Sequence, residues 1–215
     1  MKFFKIKKRK IGGNNPTFVI AEIGLNHNGS VIQCAKLIDQ AKLAGVDAVK
    51  LQVSKPEESY AKSTSSYKMF KKNSLEANEI FNLKKYADKK KIIFFFTAGD
   101  FSSLNLAKKL KLPAVKISSG LMTNIPLVTE ASKIGIPMII STGMCFKKEI
   151  IRTLNIAKKY NKSGIALLKC TSLYPAPDYT INLLAIKSFI NTFKIPIGYS
   201  DHTKDNLASL SKLPA

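Results

Sequence analysis

Cysteine, arginine, acidic residues and long apolar runs are all scarce in this chain, and each scarcity removes a class of protein. Only Cys34, Cys145 and Cys170 occur among 215 residues, widely spaced and without a CxxC pair. An odd count at that spacing excludes a disulfide framework and a cysteine-based zinc site. Cys170 closes an apolar run and reads as a small core residue. No apolar run approaches the ~20 residues that a membrane helix needs. The basic start, MKFFKIKKRKIGG, has an apolar stretch too short for a secretory signal. The expectation is a cytoplasmic protein that does not engage a membrane.

Asp and Glu number 14 against 35 Lys and Arg, a formal charge of +21. Arg9 and Arg152 are the only arginines, so nearly all the excess is lysine. Nucleic-acid binders favour arginine, whose planar fork grips phosphate and guanine in two places. Here the lysines are spread along helix faces, as at Lys84-Lys85 and Lys89-Lys90-Lys91, and only Lys7 to Lys10 form a compact basic run. A solvated surface is the plain reading, no nucleic-acid partner is expected, and a polyanion-binding role stands as the alternative.

What is present is a repeat of apolar runs and amphipathic segments. At 45% hydrophobic the chain can fill the core of one domain. Strands are predicted at 18–23, 48–52, 92–97, 114–117, 138–141, 164–170 and 195–199, continuously apolar as parallel strands covered on both faces are. Helix signals lie between them. Ser30 precedes a segment with i, i+3, i+4 apolar spacing that stops at Gly45, and Asn124 precedes Ile125-Pro126. Ser74 is read as opening LEANEIFNLKKYADKKK, and 54–73 as a long loop. Upstream of the first of these strands, a hairpin is expected within residues 1–17, its turn near Gly12-Gly13-Asn14, where it would plug the N-terminal end of a barrel.

Repeated βα units leave a barrel or a doubly wound open sheet. No GxGxxG follows the 18–23 strand, which removes the main support for a dinucleotide fold. Polar residues stand at nearly every strand's C-terminal end: Glu22, Lys50 and Gln52, Thr97, Lys116 and Ser119, Ser141, Thr171, then Ser200, Asp201 and His202. A barrel gathers such ends at one mouth, whereas an open sheet spreads them along a line. The fold class expected is α/β, a (β/α)₈ TIM-type barrel. Its eighth strand should begin about 25 residues after Ile195, near position 220, so the chain reads as one incomplete barrel domain over 1–215.

Six stretches then carry a resemblance: AEIGLNHNGS (21–30), AGVDAVKLQ (44–52), PAVKISSG (113–120), IPMIISTGM (136–144), LLKCTSLYPAP (167–177) and IGYSDHT (197–203). In this order and spacing they are similar to the sialic acid synthase family, which includes the legionaminic and pseudaminic acid synthases. The first stretch resembles the sialic and legionaminic branches more. The resemblance implies condensation of phosphoenolpyruvate with an N-acylmannosamine-type sugar, with a divalent Mn²⁺ or Mg²⁺ ion as Lewis acid. It also implies a homodimer in the full-length proteins.

By position in those motifs, Lys50 and Lys116 would be phosphoenolpyruvate's cations. Thr97, Ser119, Ser141 and Ser200 would supply hydroxyls to its phosphate and carboxylate. Lysines inside AVKLQ and AVKIS are hard to read as idle surface charges; for the hydroxyls, capping or turn bonding is the plain alternative. His202 would be a metal ligand, with Asp201 orienting it or facing the cavity. Glu22, Gln52, Ser172 and Tyr174 are the candidates on the sugar side. Glu22 suits proton transfer or a sugar hydroxyl, or an ion pair with Lys50 or Lys116; Tyr174 suits packing beside a turn equally well. His27, between Asn26 and Asn28, either holds its loop or serves the site.

The sequence departs from the family pattern in several places. Leu121 stands where an acidic residue is usual, and Thr97-Ala98-Gly99 replaces Thr-Pro-Phe. The family's eighth strand, with a second histidine ligand, and its antifreeze-like C-terminal domain are not found, and SKLPA from Ser211 breaks the helix expected there. A chain lacking them would be weakly active or inactive. Two other readings stay open: a barrel aldolase using Lys50 or Lys116 as a Schiff base, and a non-catalytic module that binds phosphoenolpyruvate or polyanions.

Overall fold

A computed structural model describes residues 3–204. The tail from Ser211 lies outside the described residues. Nine strands and eight α-helices occur among them. A hairpin of β1 (Phe4–Ile6) and β2 (Arg9–Ile11) precedes β3 (Ile20–Gly24), β4 (Ala48–Val53), β5 (Ile93–Ala98), β6 (Val115–Ile117), β7 (Met138–Ser141), β8 (Ile165–Cys170) and β9 (Ile197–Ser200). In the seven-stranded sheet, β3 to β9 neighbour one another in chain order. A doubly wound sheet reverses its strand order at a switch point, and this one does not. Sequential parallel strands joined by helices make the (β/α)₈ barrel class, with seven strands among the described residues. No helix among the described residues is long and apolar enough to cross a membrane.

The helices are α1 (Val31–Leu43), α2 (Pro56–Ser59), α3 (Ser65–Asn73), α4 (Ala77–Lys89), α5 (Phe101–Lys109), α6 (Ile125–Lys133), α7 (Lys147–Tyr160) and α8 (Ala185–Phe193). The chain divides into two compact units, residues 18–116 and residues 1–17 with 117–215. In the first, α1 starts where Ser30 Oγ accepts from the Gln33 amide and buries Cys34, Ile38 and Ala41, one stripe of its surface. Phe94, Phe95 and Phe96 of β5 are all buried, as a strand covered on both faces requires. In the second, Asn124 caps α6 by accepting from the Leu127 amide, and Leu127, Val128 and Ala131 turn inward.

Three local expectations are corrected. Residues 54–73 are not a long loop, since they contain α2 and α3. Pro56 fixes the first turn of α2, and Thr64 caps α3 by accepting from the Tyr67 amide. Only Phe70 of α3 is buried, so the segment shows no apolar period, and helix was signalled by caps alone. Ser74 does not open α4. Its hydroxyl donates back to the Phe70 carbonyl (2.6 Å) and closes α3, while Glu76 caps α4 with its own amide bonded to Glu79 (2.7 Å). The hairpin turns at Lys7-Lys8, not at Gly12-Gly13-Asn14, because Ile6 pairs with Arg9 and Lys7 takes the positive φ of 50° that a glycine would have advertised. The hairpin seats against Gly164, the residue before β8. A Cβ there would lie 2.2 Å from the Phe4 ring, so only glycine fits.

Candidate active site

In the unit formed by residues 18–116, strand register assembles the first group. Glu22 of β3 is level with Lys50 of β4, Gln52 of β4 with Thr97 of β5, and Thr97 with Lys116 of β6. Lys50 is 3% exposed, pairs with Glu22 and donates to Thr97 Oγ1 at 2.8 Å. Of the two alternatives for Glu22, the ion pair is therefore formed, and its partner is Lys50. Burial pushes the Lys50 pKa below its ordinary value, and the Glu22 carboxylate pulls it partly back. Glu22 remains half exposed. Lys116 is half buried. Gln52 is exposed and lines a small cavity with His27, Ser54, Ser74 and Ile80.

His27 is buried, and its Nδ1 accepts from the Gly29 amide at 3.1 Å. Burial lowers its pKa, which keeps the ring neutral and suits it to holding the loop after β3. Sequence reasoning passed over Asp100. This buried carboxylate accepts from Ser54 Oγ (2.9 Å), the Lys55 amide (2.5 Å), Ser59 Oγ (3.0 Å) and the Ser103 amide (2.7 Å). It caps α5 and ties that cap to the chain leaving β4. Gly99 beside it permits the approach, since a Cβ there would stand 2.7 Å from Ser54 Cβ. An aspartate at a strand end just before a helix was the available signal.

In the unit formed by residues 1–17 and 117–215, a second group surrounds the ends of β7, β8 and β9. Ser119 is buried; its Oγ accepts from the Gly143 amide (3.0 Å) and lies 3.1 Å from Cys170 Sγ. Ser141 is 2% exposed, and its hydroxyl has no hydrogen-bond partner. A buried orphan hydroxyl is costly, about 1–3 kcal/mol, unless something absent from the free protein completes it. Ser172 lies against Gly143, whose missing Cβ would come within 2.6 Å of Ser172 Oγ.

Tyr174 is exposed, yet its ring lies on that of His202 at 4.2 Å and its hydroxyl is 3.3 Å from His202 Nε2. Ser200 Oγ is also 3.3 Å from Nε2. His202 Nδ1 is 2.6 Å from the Thr171 carbonyl, which can only accept, so Nδ1 carries the proton and Nε2 the lone pair. Asp201 accepts from the Thr203 amide and hydroxyl. It also sits beside the Tyr199 hydroxyl, whose pKa is pushed up to about 12 by burial and then by that carboxylate.

An imidazole fixed by a carbonyl at one nitrogen, with a lone pair at the other, is how proteins prepare a histidine ligand. The donor chemistry of His202 thus fits a divalent ion. Among the described residues, no three His, Cys, Asp or Glu side chains converge on one point, so they supply one ligand and not a complete set.

The family model described as the NeuB family matches residues 37–213. The chain belongs to the NeuB family. It is 35% identical to the N,N'-diacetyllegionaminic acid synthase of Legionella pneumophila, over 91% of this chain and 62% of that one. An uncharacterized protein of Methanocaldococcus jannaschii is 41% identical, over 97% of this chain and 62% of the relative. The crystal structure of an N-acetylneuraminic acid (sialic acid) synthetase from Leptospira borgpetersenii superposes with a TM-score of 0.93 at 36% identity. That match covers 96% of this chain and 72% of the synthetase. The chain therefore spans 62% of the length of the Legionella and Methanocaldococcus relatives, and its NeuB-family relatives include sialic and legionaminic acid synthases.

Proposed function

We propose that this NeuB-family chain is the barrel part of a synthase that condenses phosphoenolpyruvate with an N-acylmannosamine-type sugar. C3 of phosphoenolpyruvate forms a bond to the aldehyde carbon of the open-chain sugar, water adds at C2, and the C2–O bond to phosphate breaks. One nonulosonic acid and one inorganic phosphate result. The observation that carries this reading is Lys50, an amine buried near the end of β4 and donating to Thr97, in a family whose members include sialic and legionaminic acid synthases.

In this reading Lys50 and Lys116 face phosphoenolpyruvate's charge, and Thr97, Ser119, Ser141 and Ser200 donate to its oxygens. The unpartnered Ser141 hydroxyl suits that task best, because it has no competing bond to give up. Ser119 is partly committed to Gly143 and Cys170. Glu22, held by Lys50, moves a proton or binds a hydroxyl of the sugar, and Gln52, Ser172 and Tyr174 serve as further sugar contacts. A divalent Mn²⁺ or Mg²⁺ ion at His202 Nε2 would polarise the aldehyde oxygen. Asp201 steadies the turn that presents His202. A cytoplasmic homodimer is part of the same proposal.

The lowered Lys50 pKa favours a second reading, in which its amine forms an imine with a keto acid. Borohydride trapping of an adduct at Lys50 would support that reading against the first.

The test is phosphate release from phosphoenolpyruvate with N-acetylmannosamine and Mn²⁺, using the 215-residue chain. Weak release that needs both substrates and the metal, and is lost in Lys116→Ala and His202→Ala, is the expected result. Absence of both release and phosphoenolpyruvate binding would overturn the proposal. Binding that depends on Lys116 without release would confine it to substrate capture.

A further inference from the structure

Lys169 lies in the apolar run LLKC of β8 and is 8% exposed, although nothing above gives it a task. Its partners are a carbonyl, a hydroxyl and a ring. Nζ donates to the Ile181 carbonyl and to Thr171 Oγ1 (3.2 Å), and lies 5.7 Å from the Tyr199 ring centroid. Burial without a carboxylate is costly for an amine, and its pKa is lowered accordingly. Such a residue persists where its hydrogen bonds fix something.

What they fix is the segment that leaves β8 and returns to α8. Thr171 at its root donates to the Thr180 carbonyl (3.0 Å), and Lys169 grips the next carbonyl, Ile181. The Ala176 amide in the middle donates to the His202 carbonyl (2.7 Å), and the His202 ring donates from Nδ1 to the Thr171 carbonyl. The segment also carries Ser172 and Tyr174. Root, middle and far end are thus held to one another and to His202, with Lys169 joining root to far end.

We propose that Lys169 is a positioning residue: by fastening Ile181 to Thr171 it holds the carbonyl that keeps His202 in the Nδ1–H form with Nε2 presented as a ligand. The ligand role of His202 rests on the function proposed above; the tautomer does not.

The two can be separated because the chain holds only two histidines, His27 and His202. Protein labelled with ¹⁵N at histidine is examined by NMR at pH 8, with His202→Gln assigning the signals. The native chain is expected to show His202 as the Nδ1–H tautomer, broadened by added Mn²⁺. In Lys169→Met both tautomers should appear, with broadening requiring about tenfold more Mn²⁺, the usual scale of losing a group that orients a ligand. Lys169→Arg, which keeps charge and donors, should recover most of the native signal. An unchanged tautomer in Lys169→Met would overturn the inference. A native chain with the tautomer but no Mn²⁺ broadening would sink the metal role and leave the positioning intact. Should Lys169→Met fail to fold, Thr171→Val removes only the hydroxyl between the amine and the loop and is read by the same signals.

Discussion

Lys50 Nζ reaches across from β4 to Thr97 Oγ1 on β5 at 2.8 Å while the same nitrogen pairs with Glu22 on β3. One buried amine thus links three adjacent strands at the edge where the site is proposed. Because burial lowers its pKa below the ordinary 10.5, the folded chain releases this proton more readily than the unfolded chain does. Between the lowered value and 10.5 the unfolded state binds more protons, so Lys50's contribution makes stability rise with pH. The difference in unfolding free energy, native minus Lys50→Met, should therefore rise as pH climbs from neutrality towards 10.5. The exposed lysines whose pKa values are raised, Lys71, Lys90 and Lys133, are shared by both proteins and cancel. Urea midpoints across that range decide it, and a flat or falling difference would show that Lys50 is not destabilised by burial.

Ser141 offers a test in which stability and binding part company. Its hydroxyl is buried with no partner, so Ser141→Ala removes an unsatisfied group and should leave the thermal midpoint unchanged or slightly raised. Phosphoenolpyruvate affinity should fall by about tenfold, the worth of one hydrogen bond to a charged group. Calorimetric titration beside a thermal melt gives both numbers. Loss of stability with unaltered affinity would mean that the hydroxyl serves the fold.

Legibility followed the physics of each signal. Strands such as Ile93–Ala98 and Met138–Ser141 were readable because burial on both faces demands an apolar run. Helix α3 was not, since it buries Phe70 alone and stands on the Thr64 cap. The hairpin turn misled because Lys7 adopts a positive φ while Gly12 and Gly13 follow β2. In the site, Lys50 announced itself as a charge inside an apolar strand, and Lys169 carried the same signal in LLKC but matched no expected role. Asp100 and the Thr171–His202 bond depend on contacts across 45 and 31 residues, which no local pattern encodes.

Asp100 should be among the most sensitive positions for stability. Asp100→Ala leaves the Ser103 and Lys55 amides and two serine hydroxyls without their acceptor. A lost helix cap together with several charge-assisted bonds amounts to about 3 kcal/mol. Asp100→Asn keeps one acceptor oxygen and should cost about half as much. Chemical denaturation of the three proteins checks the order, and equal stability of native and Asp100→Ala would refute the role given to this carboxylate.

Gly143 lies where the turn after β7 passes β8. A Cβ there would stand 2.6 Å from Ser172 Oγ, 2.7 Å from Cys170 Sγ and 3.0 Å from the Cys170 carbonyl. The Ser172 hydroxyl can rotate away, but the Cys170 backbone cannot without distorting β8. Gly143→Ala should therefore cost about 1–3 kcal/mol through displacement of the turn. The same displacement breaks the bond from the Gly143 amide to Ser119 Oγ, so phosphoenolpyruvate affinity should fall with stability. Ser172→Gly in the Gly143→Ala background relieves only the contact with Ser172 and leaves both contacts with Cys170. If the double variant recovers stability fully, the Cys170 backbone is not the obstacle; partial recovery is the expected result, because the carbonyl remains within 3.0 Å of the added methyl.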